Sequence, residues 1–165
     1  MDRRSLLLAL GGVIGAAPFA VAQPLLGVPP NQFRMAQLMG GEFALLTSRI
    51  ALERSRNPQV RSFAQMEINE QTAVAAALGE VPGRVQPRPD QIAIVQELQG
   101  IPPGPRFDRA YVEGQIMGHE ELLALNSAYA QNGSDSRGRA VAIVAVPSIQ
   151  THLSILSKLR RNGLA

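Results

Sequence analysis

The sequence predicts an all-α domain: a four-helix bundle with one long crossover between its second and third helices and a short extra helix inside that crossover. Three observations lead there. Hydrophobic residues make up 45% of the 165, charged residues 18% and aromatics only 4%, with no tryptophan. A core built of Leu, Ile, Val, Ala and Met suits helix-on-helix packing. Four long segments repeat apolar residues at the helical period. Between the second and third of them, residues 80–105 hold Pro82, Pro87, Pro89, Pro102, Pro103 and Pro105. A link of that length belongs to a crossover, since up-down-up-down bundles join their helices by short loops.

Residues 1–22 read as a cleavable export signal. Arg3 and Arg4 form a basic start, Leu6 to Ala17 is apolar, and Ala20-Val21-Ala22 is a small-x-small cleavage site. The run is broken by Pro18 and is shorter than the roughly 20 residues of a spanning helix, so no integral span is expected in the mature chain. Arg3-Arg4-Ser5-Leu6-Leu7 also fits the twin-arginine pattern, which exports folded chains. The expected destination is the periplasm or cell envelope. With no cysteine, the chain has neither a disulfide framework nor a lipoprotein anchor there, and packing must hold the fold.

Residues 23–30 form a Pro-rich leader, and residues 31–162 the bundle domain. Asn31 is the expected N-cap of a first helix that runs to about Arg56, with Met35, Leu38, Glu42, Leu45, Leu46 and Arg49 at helical spacing. Asn57-Pro58 then ends one helix and starts the next, Asn57 as cap and Pro58 at the first helical position. The second helix carries Val60, Phe63, Glu67, Gln71, Val74 and Leu78 on one side and stops at Gly79. A short helix follows in the crossover, capped by Asp90. The third presents Phe107, Tyr111, Gln115, His119, Leu122, Asn126 and Tyr129. The turn Asn132-Gly133-Ser134-Asp135 leads to a fourth with Val141, Val144, Ser148, His152, Ile155 and Leu159. Pro147 lies inside that helix, where it removes a backbone donor and loosens a turn.

Charge excludes nucleic acid. Without Asp2, Arg3 and Arg4 the chain keeps 14 basic and 12 acidic residues, a net charge of +2, and aromatics for base stacking are few. Lys158, Arg160 and Arg161 end a helix, where cations complement its dipole.

The candidate site is a set of potential metal ligands, each histidine of which reads equally as a core residue satisfied by an interhelix hydrogen bond. His119 and His152 both fall on core-facing stripes, and Glu42 is an inward glutamate on a third. Antiparallel neighbours meet at equal distances from their turn, because each helix rises about 1.5 Å per residue. Glu42 and Gln71 are 15 and 14 residues from Asn57; His119 and His152 are 16 and 17 from Asp135. Each pair therefore sits near mid-bundle. Gly40, Gly41 and Gly118 adjoin these residues, and a helical glycine costs about 1 kcal/mol relative to alanine, so close helix approach or room for a bound group is expected to offset it. A Glu-x-x-His signature of dinuclear bundle proteins is absent. Glu67 and Glu70 are further potential ligands, while Gln71 offers only an amide, which predicts weak retention of a transition metal. Met35, Met39, Met66 and Met117 read as core filler, not as a copper(I) site.

Gly41-Glu42, Val60-Arg61-Ser62-Phe63-Ala64, Phe107-Asp108-Arg109-Ala110-Tyr111 leading to His119, and Pro147 with His152 resemble one family of exported helical proteins across roughly residues 32–160. It is the domain of unknown function 4142 family, often labelled predicted outer membrane proteins. The resemblance implies a ferritin-like bundle and no established activity. The family's usual Asp-His is Glu70-Gln71 in this chain, so Glu42, His119 and His152 carry over while a third histidine does not.

No nucleophile elbow, phosphate loop, dinucleotide fingerprint or His-Glu-x-x-His motif is present in the mature chain. The leading expectation is an exported, non-catalytic binding or structural module of the cell envelope, with no defined partner. The alternatives are a ferritin-like protein that binds or oxidises a transition metal at Glu42, His119, His152, Glu67 and Glu70, and an envelope protein-interaction module.

Overall fold

The computed structural model describes residues 28–161, so the expected export signal, most of the Pro-rich leader and Asn162 lie outside the described residues. Within them the chain is all-α, with five helices and no strand: α1 (Pro30–Arg54), α2 (Pro58–Ala77), α3 (Pro89–Gly100), α4 (Pro105–Asn132) and α5 (Ser136–Arg161). The helices pack as a bundle in which α4 lies chiefly on α5 and α1 chiefly on α2. The crossover helix α3 covers α1 and α4, and its Val95 and Leu98 join the main core with Phe43, Phe63, Phe107 and Tyr111.

Local chemistry sets the ends. Asn57 caps α2, its side-chain oxygen accepting from the backbone N–H groups of Gln59 and Val60. At the other end of α2, Glu80 N–H donates to Ala75 O and Gly79 N–H to Ala76 O. That is a Schellman turn, and Gly79 supplies its left-handed residue at φ 76°. Asp135 opens α5 by accepting from Gly138 N–H. Two expected caps are corrected. α1 begins one residue before Asn31, at Pro30, because proline is suited to a first helical position. For α3 the cap is Arg88, whose N–H is taken up by Gln91 Oε1, and Asp90 sits in the first turn.

The buried stripes of α2 and α4 follow the expected spacing, with every named α4 residue from Phe107 to Tyr129 buried. α1 and α5 differ. α1 is flanked by α2, α3 and α4, so most of residues 37–51 is buried all round, while Met35 and Arg49 face out. α5 turns its small residues inward: its core face runs through Ala142, Ala145, Ile149, His152, Leu156 and Leu159, leaving Val144 70% exposed. Alanines let α4 and α5 approach closely, a preference that bulk alone does not reveal. α5 continues as helix through Pro147. By length and composition it is also the described helix apolar enough to cross a membrane, and only 28% of that window is buried.

The intrahelical glycines are packing positions. A Cβ on Gly40 would lie 2.8 Å from Leu122 Cδ2, one on Gly118 3.1 Å from the Phe43 ring, and one on Gly41 2.7 Å from Gln71 Oε1. Their absence brings α1 against α4 and leaves room beside α1 for the Gln71 amide.

Candidate metal centre

Three helices that are not all joined by short turns deliver the site. α2 contributes Glu67 and, one turn on, Glu70 and Gln71; α4 contributes His119; α5 contributes His152. Glu67, His119 and His152 are all buried, and each offers a ligand atom within 4.8 Å of the others. His152 Nδ1 lies 2.7 Å from Glu67 Oε1, His119 Nε2 lies 3.1 Å from the same oxygen, and the two nitrogens are 3.2 Å apart. Phe63 closes one side, its ring centroid 6.0 Å from His119 and 5.6 Å from His152.

Every member is oriented from outside the triangle. His119 Nδ1 is 2.7 Å from the Gln115 carbonyl, which only accepts, so this nitrogen carries the proton and Nε2 presents its lone pair. His152 Nε2 is 3.3 Å from Glu70 Oε2. Glu70 is fixed in turn by the Ser148 hydroxyl, which lies 2.9 and 2.8 Å from its two oxygens. Gln71 Nε2 donates to Glu67 Oε2 at 3.3 Å, leaving Oε1 of Glu67 to face the histidines.

Electrostatics follow from this enclosure. Burial alone would raise the Glu67 carboxyl, but the imidazoles of His119 and His152 beside it hold it well below the usual carboxylate range. Glu70 is lowered too, burial being outweighed by His152 and the Ser148 hydroxyl. Burial would lower His152, yet hydrogen bonds to Glu67 and Glu70 push it up to about 9. Without a metal, His152 is therefore an imidazolium between two carboxylates.

The donor set fits a divalent transition metal. With metal–ligand bonds of about 2.1 Å, neighbouring ligands stand about 3.0 Å apart in octahedral and about 3.4 Å in tetrahedral coordination, and the three edges found here are 2.7, 3.1 and 3.2 Å. Two imidazoles and one carboxylate suit zinc or non-haem iron(II). Metal-binding histidines donate their second N–H to a carbonyl or carboxylate, as His119 does to Gln115, while His152 Nε2 faces the Glu70 carboxylate as an ion pair.

Of the sequence-predicted ligands, His119, His152 and Glu67 come together, with Glu70 beside His152. Glu42 does not join them. It stands at the expected height, since Gly40 and Phe43 pack on Leu122 and Gly118 on either side of His119. Its azimuth differs: Glu42 Oε2 accepts from Gly83 N–H at 2.8 Å, tying the crossover to α1. With Gln37 and Gln71 it lines a narrow cavity of about 10 Å³, room for no more than one water. Gln71 likewise is no ligand but the partner that holds Glu67. Gln115 as the anchor of His119 had one available signal, its position four residues before His119 on the same stripe.

The sequence model of a family described as "Domain of unknown function (DUF4142)" matches residues 16–159. No match was found among curated proteins or among solved structures.

Proposed function

We propose, from the premise that this chain belongs to the DUF4142 family, that it is an exported metal-binding protein holding one divalent transition-metal ion at Glu67, His119 and His152. The observation that carries the reading is the buried triangle of Glu67 Oε1, His119 Nε2 and His152 Nδ1 with each outer atom already engaged. Glu67, His119 and His152 would hold the ion, which would supply Lewis-acid chemistry there. The chain's part is to bind the ion, to fix both imidazole orientations through Gln115 and Glu70, and to exclude bulk water with Phe63. In this reading the fold is a ferritin-like four-helix bundle of α1, α2, α4 and α5, with α3 inside the crossover. Export to the periplasm or cell envelope rests on Arg3-Arg4, the apolar run to Ala17 and Ala20-Val21-Ala22.

A structural reading has its own support. Protonated His152 between Glu67 and Glu70 satisfies both carboxylates with no ion present, which suits a non-catalytic envelope module. Elemental analysis of protein purified from its native compartment separates the two. One equivalent of zinc, iron or manganese, lost in a His119→Ala, His152→Ala double variant, supports the metal reading; equal metal content in both proteins ends it.

A further inference from the structure

We infer that the ion enters and leaves by the seam between α2 and α5, with Glu70 as the exchange ligand at its mouth. This rests on the metal reading above. The seams that α1 makes are shut by glycines: Leu122 lies over Gly40, Phe43 over Gly118, and Gln71 over Gly41. α2 contains no glycine, and the glycine of α5, Gly138, lies in its first turn. Between α2 and α5 the contact is far less extensive than in the α1–α2, α1–α4 or α4–α5 seams.

Two open grooves flank the site along that seam. One is lined by Glu70, Ala73, Val74, Val144 and Ser148; the other by Phe63, Met66, Ile155 and Leu159. Between them Glu70 joins solvent to the interior. Its side chain is 27% exposed, against 4% or less for Glu67, His119 and His152. Glu70 also touches His152, at 3.3 Å from Nε2, the ring nitrogen turned away from the triangle. The link across the seam from Ser148 to Glu70 is polar.

α5 is weakest at this point. Pro147 has no N–H to give the Ile143 carbonyl, so the turn just before Ser148 lacks an intrahelical bond, and Ile143 itself is 53% exposed. A carboxylate at the surface, within reach of a buried ligand and opposite a loosened helical turn, is the arrangement an incoming cation needs. It replaces its waters stepwise, first on Glu70 and then on Glu67 and the histidines.

The test is stopped-flow uptake of cobalt(II) by metal-free protein, read by the visible absorption that develops on entry, and its release to a chelator. Ala73→Trp is the first variant. Ala73 is exposed, and a helical side chain covers the turn preceding its own Cα, so the indole lies over Glu70. We expect uptake and release both to slow by at least about tenfold with affinity unchanged, because covering a gate alters rates and not the equilibrium. Ala76→Trp, also exposed on α2 but outside the groove, should exchange as the wild type does. Glu70→Gln keeps an acceptor for His152 but loses the charge, and should slow uptake. Wild-type exchange rates in Ala73→Trp overturn the port, whatever Glu70→Gln does. Absence of cobalt uptake by the wild type, with spectra matching Glu67→Gln, overturns both the port and the metal reading.

Discussion

His152 Nδ1 lies 2.7 Å from Glu67 Oε1 inside the bundle, and the two come from α5 and α2, helices with no direct connection. The pair links the first half of the chain to the last. Much of the expected behaviour of the protein follows from it.

Removing one partner of a buried ion pair leaves the other uncompensated. Glu67→Ala is expected to destabilise the metal-free protein by about 3–5 kcal/mol, and Glu67→Gln by less because it keeps an acceptor. Both should abolish metal binding. Urea unfolding and metal content read the two effects separately.

Glu42 offers the matching contrast. Glu42→Ala removes the acceptor of Gly83 N–H and should cost about 1–3 kcal/mol, while metal content stays at the wild-type level. Loss of metal in this variant would show that Glu42 belongs to the centre after all.

Gln71 holds Glu67 from outside, and loss of such a partner weakens metal binding by about 10–100-fold. Gln71→Ala should show that loss in a competition titration with a chromophoric chelator. An unchanged affinity would assign Gln71 to packing alone.

The pH dependence has a definite sign. His152 is raised from its ordinary 6.5 to about 9, so its contribution to metal-free stability is complete below 6.5 and disappears as pH rises through about 9. Glu67 is lowered, so its contribution is present above 4.5 and is lost as pH falls through its depressed value. Metal must displace the His152 proton, so affinity should rise with pH up to about 9. Melting temperature against pH, with and without zinc, checks both: the metal-free protein weakens on the alkaline side while added zinc protects it. A zinc affinity independent of pH between 6.5 and 9 would contradict the assignment of His152 as a ligand.

Gly40 tests helix approach. Gly40→Ala places a methyl 2.8 Å from Leu122, and the overpacking should cost about 1–3 kcal/mol despite the better helix propensity of alanine. A stabilised variant in thermal unfolding would mean that α1 and α4 have slack.

The sequence by itself determined the helices and most of what lies on each. Period-3.6 stripes on α2 and α4, the Asn57 cap, the Gly79 stop and the long proline-rich crossover were all legible, because each depends on interactions within a few residues. Heights along directly joined helices were legible too, since rise per residue is constant: His119 and His152 meet on α4 and α5, and Gln71 of α2 lies against Gly41, next to Glu42, on α1. Which residues face one another was set by how the helices assemble. Glu42 and Glu67 are equally inward by spacing, yet one turns to the crossover backbone and the other to two imidazoles. That choice depends on helix rotation and on the α2–α5 register, which no turn fixes and which packing settles through the small residues of α1 and α5. Spacing specifies a stripe; the point on which it converges is set by neighbours far away in the chain.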